Sequence, residues 1–169
     1  NLGNFLPFCL VKEGVLSWLP LEVYETAKFT GNFLRHHQDG TVYHKLPLKE
    51  GKKHGIHLVY YNKGELSEEI PYKENELHGH KQGFKQDRTC YFSAHYREGV
   101  LHGPYEGAGR SGTWKKEKGV YKDGKREGRF FLTSHQGKTI SQIFENGILT
   151  HEYIGDHPYT IEIVDQFGA

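Results

Sequence analysis

The 169-residue sequence has no methionine, two cysteines and no 18-residue apolar run. Each shortage excludes something. A helix that crosses a bilayer needs about 20 consecutive apolar residues, so no transmembrane segment is expected. The most apolar stretch runs from Leu2 to Leu21, but Lys12, Glu13 and Gly14 interrupt it and no basic segment precedes it, unlike an intact signal peptide. Cys9 and Cys90 are too few for a disulfide scaffold and lack metal-type spacing. No Asn-x-Ser/Thr sequon is present, which weighs against a eukaryotic secreted origin. Charge of one sign is also missing: 22 Lys and Arg against 21 Asp and Glu give a net charge of +1. No basic field exists to attract nucleic acid over distance, so nucleic-acid binding is not expected. The chain starts at Asn1, as a processed precursor, a trimmed chain or a fragment would. A cytoplasmic location is the first expectation, and a processed secreted or periplasmic form is the alternative.

Apolar residues make up only 36% of the chain and mean hydropathy is −0.72, values that resemble those of disordered proteins. Disorder usually goes with high net charge and few aromatics, whereas here 14% of residues are aromatic and 21 are glycine. That combination implies a β-protein with many turns and a core built from rings.

A fixed period explains the composition. The segments Tyr72–Gly79, Tyr96–Gly103 and Tyr121–Gly128 share one template: an aromatic, two polar residues, Gly or Asn, three more residues and a closing Gly. Residues 48–55 are the same element with Leu48 in the aromatic place, and a weaker copy carries Tyr24 and ends at Gly31. The last copy starts at Phe144 and has His151 where the closing Gly belongs. Closing positions 31, 55, 79, 103, 128 and 151 differ by 24, 24, 24, 25 and 23. A second turn signal falls between templates, at 38–41, 62–65, 85–88 and 135–138. Gly and Asp-Gly pairs flanked by β-formers are hairpin chemistry. Each period therefore reads as two short strands and two turns.

The expected fold is all-β: an elongated single-sheet ribbon or solenoid of stacked β-hairpins, one domain over residues 1–169. Two strands per period advance such a ribbon by roughly 9–10 Å, or roughly 55 Å over six periods. Hairpins are marginal alone, so each depends on its neighbours. Residues 20–151 carry about six repeats. The off-template ends, 1–19 and a partly alternating strand in 152–169, read as caps for exposed edges.

The run Tyr121-Lys122-Asp123-Gly124-Lys125-Arg126-Glu127-Gly128 resembles the MORN repeat, and more narrowly the variant in bacterial YwqK-like antitoxins. Tyr96–Gly103 is a close match, and Tyr72–Gly79 matches with Asn75 for the first Gly. The resemblance covers roughly residues 20–151. It implies a hairpin-repeat fold and a role in binding protein or phospholipid.

Chemistry-bearing motifs fare poorly. His54, His78 and His102 occupy one repeat position, but neighbours in that column should lie roughly 9–10 Å apart, too far to share an ion. His78 and His80, on one strand face, are a weak chelate candidate. Residues 107–112 spell G-x-G-x-x-G but lead into another hairpin rather than a helix. Leu132 stands where a P-loop ending at Gly137-Lys138-Thr139 needs glycine. No nucleophile elbow exists, and no cofactor or catalytic residue is implied. Lysines and arginines between Arg110 and Arg129 are interleaved with Glu117, Asp123 and Glu127, a mixed surface. A one-layer ribbon has two faces, and one aromatic column fills only one. Tyr60, Tyr61, Phe84, Tyr91, Tyr105 and Trp114 are therefore the candidates for a recognition surface, with core packing as the competing role. The expected function is non-catalytic binding of a partner protein, antitoxin- or immunity-like and possibly directed at a toxin. The alternatives are a phospholipid-binding scaffold and an enzyme using an aromatic-lined groove with histidines.

Overall fold

The computed structural model describes residues 20–108 and 114–154; the stretches expected as caps at 1–19 and 155–169, with Cys9, and most of the glycine-rich turn lie outside the described residues. The described residues hold thirteen strands and one short helix. The chain divides into two compact units, residues 1–90 and 91–169.

The first unit contains α1 (Leu21–Thr26), β1 (Gly31–His36), β2 (Val42–Lys49), β3 (Lys52–Lys53), β4 (Gly55–Tyr60), β5 (Leu66–Lys73), β6 (Glu76–Leu77) and β7 (Gly79–Phe84). Its strands pair in the order β1-β2-β4-β5-β7, with β3 on β2 and β6 on β5. The second unit contains nearly all of β8 (Cys90–Arg97), then β9 (Val100–Gly107), β10 (Lys116–Lys122), β11 (Lys125–Thr133), β12 (Thr139–Glu145) and β13 (Ile148–Ile154), paired in sequence order. Every ladder within the units is antiparallel, and in neither does the first strand close onto the last. The expected all-β hairpin architecture is what forms.

Turn chemistry drives it. The template turns are two-residue hairpins, at Glu50-Gly51, Glu74-Asn75, Glu98-Gly99, Asp123-Gly124 and Asn146-Gly147, and both residues of each have positive φ. That is the type I′ geometry whose twist suits flanking strands. The N–H of the second turn residue then donates to a carbonyl one hairpin earlier: Gly51 to Phe29, Asn75 to Lys53, Gly124 to Leu101 and Gly147 to Arg126. The intervening turns also repeat one geometry. His37, Tyr61, Lys85 and Ser134 each donate their N–H to the carbonyl four residues on and accept from the N–H three residues on. Glycine occupies the left-handed position in three of these turns, and Arg88 occupies it in the fourth with φ 66.

Strand alternation sorts the side chains. In the second unit one face carries Phe92, Tyr105, Tyr121, Phe130 and Phe144, consecutive rings meeting edge-to-face with centroids 5.3–5.7 Å apart. That arrangement puts each ring's positive edge on its neighbour's negative face. Gly119 makes room for it: a Cβ there would lie 2.5 Å from the Phe130 ring. In the first unit Tyr24, Phe33, Leu46 and Leu48 form the core. Tyr24, the aromatic of the weakest copy, lies on α1 instead of a strand, and its ring still fills the core position, edge-on to Phe29 and Phe33. The helix sits so close to the first template turn that a Cβ on Gly51 would lie 2.3 Å from the Glu25 carbonyl oxygen. No helix among the described residues is long and apolar enough to cross a membrane.

Candidate functional site

The core face of the first unit changes character along the sheet. Phe33 is buried on β1, but the residues 24 and 48 positions on are His57 and Lys81. Register places His44 of β2 opposite Val59, His57 of β4 opposite Ile70, and Glu68 of β5 opposite both Val59 and Gly83. An apolar core thus gives way to polar side chains.

There the His44 and His57 rings meet directly. One imidazole N–H donates to the other's ring nitrogen, Nδ1 of His44 facing Nε2 of His57 across 2.9 Å. Only a neutral ring offers the accepting lone pair, so the pair requires at least one neutral imidazole. Burial, then the His44, Lys53 and Lys81 charges, push the His57 pKa down to about 4. Burial and the Arg35 guanidinium lower His44, against a smaller opposing pull from Glu68. Tyr72, whose ring centroid lies 6.4 Å from that of His57, has its hydroxyl pKa raised by burial and by Glu68. The Lys53 ammonium stands over the Tyr72 ring at 5.2 Å, and Lys81 lies 3.7 Å from the Glu68 carboxylate. Arg35, Lys53, Lys81 and Glu68 therefore act on the two imidazoles.

The expected recognition residues separate. Tyr60 and Tyr61, with His37 and Tyr43, line a groove of about 400 Å³ beside the β4–β5 turn. Tyr61 also bridges hairpins, its hydroxyl donating to the Phe84 carbonyl at 2.8 Å. His37, its counterpart 24 residues earlier, bonds the Tyr60 carbonyl through Nε2 in the same way. Tyr91, in the second unit, is 49% exposed. Tyr105 is buried, a member of the aromatic ladder, with its hydroxyl donating to the Ala108 carbonyl. Trp114 is partly buried just before β10.

Histidine placement also becomes specific. His78 precedes β7 and donates its backbone N–H to the Pro71 carbonyl, while His80 is an exposed residue within β7. Two members of the His54 column approach the acid of the following turn: His54 lies 3.4 Å from Glu74, and His102 lies 3.1 Å from Asp123. No group of three His, Cys, Asp or Glu that could hold a metal ion occurs among the described residues.

The second unit has its own buried charge. Glu117 is fully buried, where it accepts from the Tyr121 hydroxyl and the Arg126 guanidinium. Arg126 in turn lies 5.1 and 5.2 Å from the Phe130 and Phe144 ring centroids. Each carboxylate oxygen accepts a hydrogen bond inside the ladder, which is a packing role.

Sequence reasoning followed the turn histidines and passed over His44 and His57. A signal was present: the column Phe33, His57, Lys81, Tyr105 and Phe130 keeps the repeat spacing, and two of its five members are polar. No family model matches the chain, and no curated protein matches it.

Proposed function

We propose that this chain is a non-catalytic MORN-type hairpin-repeat protein that binds a partner protein, in the manner of an antitoxin or immunity protein. The observation that carries this reading is the second face of the sheet. In the second unit Tyr105, Tyr121 and Phe130 turn inward, while Val100, Val120 and Phe131 on the opposite face remain 40–46% exposed. These exposed apolar side chains on an open sheet face offer contact area to a partner surface.

Two further observations favour protein over lipid or catalysis. Lys116 and Lys118 share the one Glu106 carboxylate, and Arg97 pairs with Asp123, so part of this positive charge is met by neighbours. Phospholipid head groups call for uncommitted positive charge. The most perturbed histidine, with a pKa of about 4, is a weak base at neutral pH and poorly matched to proton abstraction. The template runs of residues 48–55, 72–79, 96–103 and 121–128 support the repeat type. Flotation with anionic vesicles tests the reading. The protein is expected to stay in the pellet fraction, and flotation without any protein partner would overturn it.

A further inference from the structure

The groove beside the β4–β5 turn combines fixed rings with uncommitted polar groups. It encloses about 400 Å³, within the range of small-molecule sites, which are lined by aromatic side chains and a few polar groups. The Tyr43 ring is held between two others, with centroids 4.7 Å from His37 and 3.9 Å from His44. Tyr61 is tied through its hydroxyl to the Phe84 carbonyl, and His37 through Nε2 to the Tyr60 carbonyl. Such tethers lower the entropy cost of receiving a ligand. The polar groups are not used in this way. Within the described residues the hydroxyls of Tyr43, Tyr60 and Ser67 and the side-chain amide of Asn62 make no hydrogen bond.

We propose that this groove binds a neutral carbohydrate. A pyranose presents C–H groups on its faces, which pack on aromatic rings, and hydroxyls at its rim, each of which both donates and accepts. Tyr43, Tyr60 and Tyr61 supply the rings, and Asn62, Ser67 and the free tyrosine hydroxyls supply the matching polar groups. Charge selects against other occupants. Of the described residues lining the groove, none is Lys or Arg, and Glu68 is the one carboxylate. A carboxylate repels phosphate and other anions. A proline-rich segment presents carbonyls and few N–H groups, so it gives Glu68 no donor. An organic cation would be drawn to the rings and to Glu68, but the Lys81 ammonium 3.7 Å from that carboxylate opposes it. Sugar hydroxyls donate to Glu68 and accept from Asn62 without adding charge. This site belongs to the first unit and goes beyond the partner-protein reading, which rests on exposed residues of the second.

The test uses the full chain with maltotriose, cellotriose and triacetylchitotriose as probes. A proline-rich peptide, choline and inorganic phosphate serve as comparison probes. Ring signals of Tyr43, Tyr60 and Tyr61 are followed by NMR, and affinity by calorimetry. At least one trisaccharide is expected to shift the Tyr43 and Tyr60 rings with a Kd of about 1 mM or tighter. Its affinity should fall about tenfold in Tyr43→Ala and about threefold in Asn62→Ala. The idea is overturned if no trisaccharide moves these rings at about 10 mM, or if either variant binds as tightly as the parent. It is equally overturned if the peptide, choline or phosphate moves the rings at lower concentration than every sugar. The ring response is read on the unaltered protein, so it decides the matter even where a variant does not fold. Silent rings sink this site and leave the partner-protein reading to the vesicle experiment.

Discussion

Acidification should weaken this protein through one identifiable ring. His57 has a pKa of about 4 in the folded chain against 6.5 when exposed. Between those values the unfolded chain binds a proton that the folded chain refuses, so stability rises with pH across that window. The contribution is complete above about pH 6.5 and lost as pH falls toward 4. At about 1.36 kcal/mol per unit the shift corresponds to about 3 kcal/mol at most, and solvent screening of a partly buried ring reduces this to about 1–2 kcal/mol. Burial comes first, then the charges of His44 on β2, Lys53 on β3 and Lys81 on β7, while Arg35 on β1 and Glu68 on β5 act on the paired His44. Urea unfolding at half-unit steps from pH 7.5 to 4.5 measures the slope. The informative comparison is His57→Phe, which restores the residue type found at Phe33 and Phe130 in the same column. Other carboxylates titrate equally in both proteins and cancel. The variant should lose about 1 kcal/mol less than the parent between pH 7 and 4.5. Parallel stability curves for the two proteins would refute the assignment of the acid sensitivity to this pair.

Two further outcomes follow from packing in the second unit. Arg126→Ala strands the fully buried Glu117 carboxylate with only the Tyr121 hydroxyl, and should cost about 3–5 kcal/mol in chemical denaturation at pH 7. Adding Glu117→Leu to that variant should recover most of the loss; no recovery would show that the arginine acts mainly through its contacts with Phe130 and Phe144. Gly119→Ala drives a methyl to within 2.5 Å of the Phe130 ring and should destabilise by about 1–3 kcal/mol, with a change in near-ultraviolet circular dichroism as the aromatic ladder shifts. An unchanged melting temperature and spectrum would show that Phe130 relocates without penalty.

The acid-sensitive pair reflects a trade-off. His57 and Lys81, where other repeats hold aromatic rings, give up apolar burial in return for donors and charge on an otherwise ring-packed face. Sites that break a local packing rule are where function is expected.

Much of this architecture is visible in the order of residues alone, because hairpin formation is a local event. Glu50-Gly51, Asp123-Gly124 and Asn146-Gly147 reach left-handed conformations that few other pairs tolerate, so the position of every template turn can be read directly. The strand between two such turns then has its faces assigned by alternation, and Tyr121 and Phe144 fall on one face with Phe130 between them. The first copy was legible only as a degraded repeat. Its Tyr24 fills the core from a six-residue helix after Pro20, a placement set by the packing of α1 against Gly51.

The candidate site needed the fold. His44 and His57 are thirteen residues apart with no motif between them, and β4 had to pair with β2 in this register before two ring nitrogens met at 2.9 Å. Tyr61 and Tyr105 show the same division. As tyrosines in strand-like sequence they were equivalent candidates, yet one became a strut to the next hairpin and the other a buried rung. Turn chemistry is set by a few adjacent dihedral angles, whereas burial and the electrostatic surroundings of a side chain depend on strands distant in sequence.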